Sequence, residues 1–312
     1  MMTVGSLLSH DEIARLTRRS DWRGAWAVVS TWGMIGGAFL VLARWPNPFT
    51  FLAALIVIAG RQMALGILQH EASHGTLFKM RWCNQVVGDW ACARPVWQTL
   101  DKYRRHHLRH HAETGTDGDP DISLHRDYPV TRVSLRRKLT RDVAGVTGMR
   151  TVAGLLLMDA GLIRWTVAND VIHLPRDDWW RHGVQFAENI APMLATNGVL
   201  FIMLSVSGHP GLFAVWVLAF ITPLPLFLRI RSVAEHGCLP RTRDVFANTR
   251  TIRASWLARL TVAPVAVNYH LEHHLLPGVP YYRLRDLHAL LRAKGLVAEP
   301  DGYWAVLKRA TV

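Results

Sequence analysis

Sixteen of the chain's 312 residues are histidine, and many of them cluster. His70 and His74 stand four apart in "HEASH", so on a helix they share a face. In "RRHHLRHH", residues 104–111, His107, His110 and His111 fall at i, i+3 and i+4, and His106 is an alternative to His107 because it too lies one turn from His110. His270, His273 and His274 repeat that spacing in "HLEHH", and His236 stands apart in "AEHG". Imidazoles at helical spacing are suited to holding metal ions. An isolated histidine is more often structural. Two boxes of identical spacing beside an H-x-x-x-H are hard to obtain without a metal site.

The identity of the metal follows less directly. H-E-x-x-H is the spacing with which zinc peptidases hold their metal, and there Glu71 would be the general base. A catalytic zinc takes about three protein ligands and keeps one position open. The nine candidates here, His70, His74, His107, His110, His111, His236, His270, His273 and His274, are too many for that and suit two metals of four or five nitrogens each. Imidazole is acceptable to zinc, copper, iron and nickel, so ligand type alone does not name the ion. Glu71, Asp119, Asp121, Glu235 and Glu272 adjoin these histidines. They are expected either to accept the second imidazole N–H or to be surface carboxylates among arginines.

Four apolar runs provide the elements that position the histidines. They cover about 24–43, 49–69, 190–207 and 211–230, each near the roughly 20 residues a membrane-spanning helix needs. Short turns, "RWPNP" and "GHPG", join them into two hairpins. Arg61 and Gln62 interrupt the second run, and Pro223 and Pro225 are placed to kink the fourth. The turns hold one Lys or Arg, Arg44, whereas the leading segment, the 70–189 connection and the tail after 230 are rich in arginine. By the positive-inside bias both termini and both large loops are cytoplasmic. His70 follows the second run and His236 the fourth, so the metal site is expected at that membrane face.

The net charge of +13 is accounted for by this topology and by attraction to anionic lipid. No separate basic module suggests nucleic-acid binding. Cys83, Cys92 and Cys238 form no C-x-x-C pair and suit a reducing compartment. No cleavable leader pattern opens the chain. Residues 151–163 and 255–267 are apolar but too short to span, which predicts interfacial or buried helices, with Trp165, Trp179 and Trp180 at headgroup level. Leu284, Leu287, Leu290 and Leu291 predict an amphipathic helix ended by Gly295. The expectation is one all-α integral membrane domain over 1–312: four transmembrane helices in two hairpins beneath a cytoplasmic helical cap carrying a histidine-rich dimetal site.

The stretches "HEASHGTLF", "YRRHHLRHHAETGTDGDPD", "RSVAEHG" and "NYHLEHHLLPGVPYYRLRDLH" resemble the membrane fatty acid desaturases of the three-histidine-box superfamily. The likeness covers most of residues 24–295. It implies a cytoplasmic non-haem diiron site that uses O2 as co-substrate and two external electrons to oxidise an unactivated C–H bond. The nine histidines would be the iron ligands. Some members complete the site through a water held by Asn four residues before the isolated histidine; Ser232 occupies that position here. "GHPG" also echoes a haem-binding loop of cytochrome b5, but it is a turn between two spans. Electrons are therefore expected from a separate ferredoxin or cytochrome b5 type donor with its reductase. The expected reaction is desaturation of a fatty acyl chain or similar membrane lipid. A hydroxylase or ketolase acting on an acyl chain, a carotenoid or another small hydrophobic substrate is the runner-up. A membrane zinc peptidase and a non-catalytic metal-binding protein are the readings of other classes. Arg229 and Arg231 are placed to meet an anionic head group, or simply to follow the positive-inside bias.

Overall fold

A computed structural model describes residues 4–165, 171–175 and 178–312, and these are mostly helical. Among the described residues, four helical stretches are long and apolar enough to cross a membrane: Asp21–Arg44, Pro48–Ser73, Trp179–Val206 and Leu212–His236. The protein is an integral membrane protein.

Helix α1 (Asp21–Arg44) starts on a Ser20 cap, and α2 (Pro48–Ser73) on Asn47, whose Oδ1 accepts from the Phe49 and Thr50 amides. Pro48 opens α2, where a missing N–H costs nothing. Ile35, Phe39 and Leu42 of α1 pack with Ala54 and Ile58 of α2. The polar pair that interrupts the second run reaches backbone carbonyls of other segments. The Arg61 guanidinium donates to the carbonyls of Arg259 and Leu260 at 3.1 and 2.8 Å, and Gln62 donates to the Trp216 carbonyl at 2.9 Å. Within a bilayer such groups need internal partners.

The chain then forms α3 (Leu100–Glu113), α4 (Arg132–Val143) and α5 (Val146–Asp159). The segment 151–163 differs from the expected helix. It is helical to Asp159, and Ile163 opens β1 (Ile163–Trp165), which pairs antiparallel with β2 (Val171–His173). The Trp165 side chain lies outside the described residues; Trp179 and Trp180 are exposed.

Helix α6 (Trp179–Val206) starts well before the third apolar run. The fourth span divides at Thr222 into α7 (Leu212–Ile221) and α8 (Pro223–His236), because Pro223 has no amide to donate and opens a new helix. Neither Arg229 nor Arg231 is a bare cation. Arg229 is paired with the fully buried Asp142 of α4, and Arg231 with Glu235 at 2.7 Å.

The segment 255–267 is not one helix. It comprises α9 (Trp256–Leu260) and a short turn over Pro264–Ala266, with Val265 and Ala266 at φ 53° and 56°. Arg61 takes the carbonyls that would continue α9, and Pro264 cannot donate. The turn leads into α10 (His270–Leu275). Helix α11 (Leu284–Ala293) buries Leu284, Leu287 and Leu291 as its spacing predicts, and Gly295 follows at φ +70°, the left-handed position after a helix end. Helix α12 (Tyr303–Arg309) packs on α8.

Candidate metal centre

Four helices bring their histidines to one place: the end of α2, the middle of α3, the last residue of α8, and α10. The Asp89 carboxylate, from a π-helical turn over Gly88–Ala93, accepts the Leu100 amide at 2.9 Å and so caps α3. Arg104 donates to the Ser73 carbonyl at 3.0 Å and fixes α3 against the end of α2. Asn268 and Ile252 exchange two hydrogen bonds of 2.9 Å just before α10.

The nine candidate histidines fall into two groups. His70, His74, His107, His111 and His273 form one; His110, His236, His270 and His274 form the other; in each, the nitrogens lie within 4.8 Å of one another. His106 belongs to neither and instead bonds Asp121 at 2.8 Å. Each three-histidine box divides in the same way. The i and i+4 members enter one group and the i+3 member the other: His107 and His111 against His110, and His270 and His274 against His273.

Within the first group, His111 Nε2 lies 2.9 Å from Nε2 of both His107 and His273. Within the second, His270 Nε2 lies 2.9 Å from His236 Nε2 and 3.1 Å from His274 Nε2. The imidazoles are largely buried, and both nitrogens of His70 and the Nε2 of His74 have no hydrogen-bond partner among the described residues. Buried polar atoms normally find partners, so nitrogens converging without them suit bound metal.

Burial pushes His74 down to about 4 and His111 to about 2, and drives His107, His270, His273 and His274 well below the ordinary range. These rings are neutral near neutrality, the form in which imidazole binds metal. Burial also depresses His110, but the Asp119 carboxylate outweighs it and holds that ring above its ordinary value. The contact, His110 Nδ1 to Asp119 Oδ1, is 2.7 Å and buried.

The neighbouring carboxylates take different roles. Asp121 bonds His106 and lies 3.8 Å from His110. Glu235 lies 3.6 Å from His270 Nδ1. Glu71 lies 3.5 Å from His70 Nδ1, but its Oε2 accepts from Thr76 at 2.8 Å and from the Tyr281 amide at 3.0 Å. Glu272 turns away, to His288 at 2.6 Å and to Thr251. The Ser232 hydroxyl donates to the Leu228 carbonyl at 2.9 Å.

Three neighbours carry no sequence signal. His236 Nδ1 donates to the Asn248 carbonyl at 3.1 Å, the His125 ring lies 5.2 Å from that of His236, and Tyr103 stacks on His107 at 5.3 Å. A loop carbonyl has no side-chain signature, and His125 lies outside any box.

Residues 43–305 match the profile of the family described as fatty acid desaturase. Two characterised proteins are similar. Dihydrorhizobitoxine desaturase of Bradyrhizobium elkanii is 26% identical over 253 residues, covering 79% of this chain and 68% of that protein. Beta-carotene ketolase of Paracoccus sp. (strain N81106 / MBIC 01143) is 23% identical over 252 residues, covering 76% of this chain and 79% of the relative.

Proposed function

The chain belongs to the fatty acid desaturase family, an oxidoreductase family, and from that membership and the paired histidine groups we propose an O2-dependent non-haem diiron enzyme that desaturates an acyl chain or similar lipid. The division of nine imidazoles, seven of them buried and His74 and His111 partly so, into groups of five and four supports this most strongly. Bound there, an iron pair supplies the capacity to oxidise an unactivated C–H bond with O2, which zinc, lacking redox chemistry, does not.

The protein's own residues do the rest. His70, His74, His107, His111 and His273 would hold one iron, and His110, His236, His270 and His274 the other. Asp119 keeps the His110 proton on Nδ1, and the Asn248 carbonyl does the same for His236, which leaves each Nε2 free to bind. Glu71, engaged by Thr76 and Tyr281, is not poised to activate water, and this argues against a peptidase. The Ser232 hydroxyl donates to the Leu228 carbonyl of its own helix, and the four imidazoles of the second group are assigned to the second iron.

The four spans form two hairpins, and both termini and the histidine groups lie on the cytoplasmic side. The arginine distribution supports that orientation. One domain, 1–312, encloses the site, and a ferredoxin or cytochrome b5 type donor supplies the electrons.

The likeness to a carotenoid ketolase supports a second reading, oxygenation of a hydrophobic substrate. Lipid and metabolite profiles of cells with and without the gene separate the two. A new alkene supports desaturation, an added oxygen supports the ketolase or hydroxylase, and neither change contradicts both.

A further inference from the structure

The helix that carries three of the histidines has a second face. On α3, His107, His110 and His111 point inward, while Arg105, Leu108, Arg109 and Ala112 are exposed. These four fall at i, i+3, i+4 and i+7, so they form one stripe. Seven residues of rise make it about 10 Å long. Arg105 and Arg109 make no hydrogen bond or ion pair with any described residue, and Leu108, between them, is 48% exposed. The surrounding charges are mostly paired off: Arg104 with Asp101, Arg243 with Glu113, Arg241 with Asp117, and Asp121 with His106. Two free guanidinium groups around an exposed leucine therefore stand out in a neutralised field. A single helix separates this stripe from both histidine groups, because His107 and His111 belong to one and His110 to the other.

Resting on the diiron reading above, we propose that the outer face of α3 is the docking surface of an acidic one-electron carrier protein. The reaction requires such a donor. Desaturation removes two hydrogens from the substrate and, with O2, two protons and two electrons, gives an alkene and two waters. Two carriers, each oxidised by one electron, balance it. Among the described residues, the free cysteines Cys83 and Cys92 share one apolar cluster, and Cys238 packs against another, so the three do not come together. Free arginines around a small apolar centre suit a brief encounter, and electron-transfer interfaces are small. Opposite charge raises the encounter rate by about 10–1,000-fold.

The test uses the iron-loaded, oxidised protein in lipid nanodiscs and follows oxidation of a reduced carrier by stopped flow, with carrier binding measured in parallel. The carriers are a plant-type [2Fe–2S] ferredoxin and the soluble domain of cytochrome b5, both acidic, with reduced cytochrome c as the basic comparison. Both acidic carriers are expected to react faster than the basic one, and to slow as salt rises. R105E/R109E is expected to slow them about tenfold and to weaken binding, with iron content and reduction by dithionite unchanged. R136E/R137E, a matched reversal at exposed positions of α4, is expected to behave as wild type. If the α3 reversal lowers iron content, R105Q/R109Q decides, with a smaller slowing expected.

An unaffected α3 variant, equal slowing by the α4 reversal, or a basic carrier that is equally fast would overturn the proposal. So would slowing confined to nanodiscs containing phosphatidylglycerol, which would assign the arginines to headgroups. Wild-type protein that binds no iron would instead contradict the diiron reading.

Discussion

His110 and His111 are neighbours in sequence, yet they belong to different nitrogen groups, with ring centroids 5.9 Å apart and planes at 70°. One helical step of about 100° is enough to aim adjacent side chains at different centres. Helix α3 therefore ties the two groups together, and α10 does the same through His273 and His274.

His236 is the sole contribution of α8 to the second group. His236→Ala should leave three imidazoles there, lower iron content selectively, and cut turnover by more than about a hundredfold, since even loss of a supporting partner commonly costs 10–100-fold. Helical content should be unchanged. Near-normal turnover in that variant, measured with iron on the same sample, would mean that His236 is structural.

Glu71 separates this chemistry from peptide hydrolysis. His70→Ala and His74→Ala should abolish activity by removing nitrogens from the first group. Glu71→Gln keeps an oxygen to accept from Thr76 and Tyr281, so it should retain iron and much of the turnover. Loss of a general base would cost about 10²–10⁴ in rate. A Gln variant fully loaded with iron but as inactive as the histidine variants would give Glu71 a chemical role.

Arg61 carries a structural prediction. Its guanidinium is the partner of the Arg259 and Leu260 carbonyls, in the segment that leads to His270, His273 and His274. Arg61→Met leaves those carbonyls unpaired at a cost of about 1–3 kcal/mol each. The variant should melt at lower temperature in detergent and lose iron more readily to a chelator. An unchanged melting temperature would show that the carbonyls find other partners.

Acid should release the metal and weaken the fold together. The pKa of His74 is depressed from 6.5 to about 4 by burial, and those of His107, His273 and His274 are also depressed. Their folded values lie below the unfolded one, so their contribution is present above about pH 6.5 and is lost as pH falls through the folded values. His110, held up by Asp119, opposes this with a single group. Melting of metal-free protein from about pH 7 to 4 should show falling stability. A flat profile would contradict the burial argument.

The histidine boxes and the apolar runs were legible because both depend on short-range spacing. Spacing put His107, His110 and His111 on one side of α3, but it did not reveal that the i+3 member would part from the other two, because that depends on where α2, α8 and α10 arrive. The Arg61 contact with α9 joins residues nearly 200 positions apart, and no local pattern encodes it. The left-handed Val265 and Ala266 were equally hidden. Such backbone is unfavourable for a β-branched residue and persists only where its surroundings hold it.

Counting metal in active protein purified from cells supplied with iron decides whether the groups of five and four histidines hold two metals. About two iron atoms per chain are expected, falling in step with activity on chelation. One zinc per chain with no iron and undiminished activity would contradict the diiron reading.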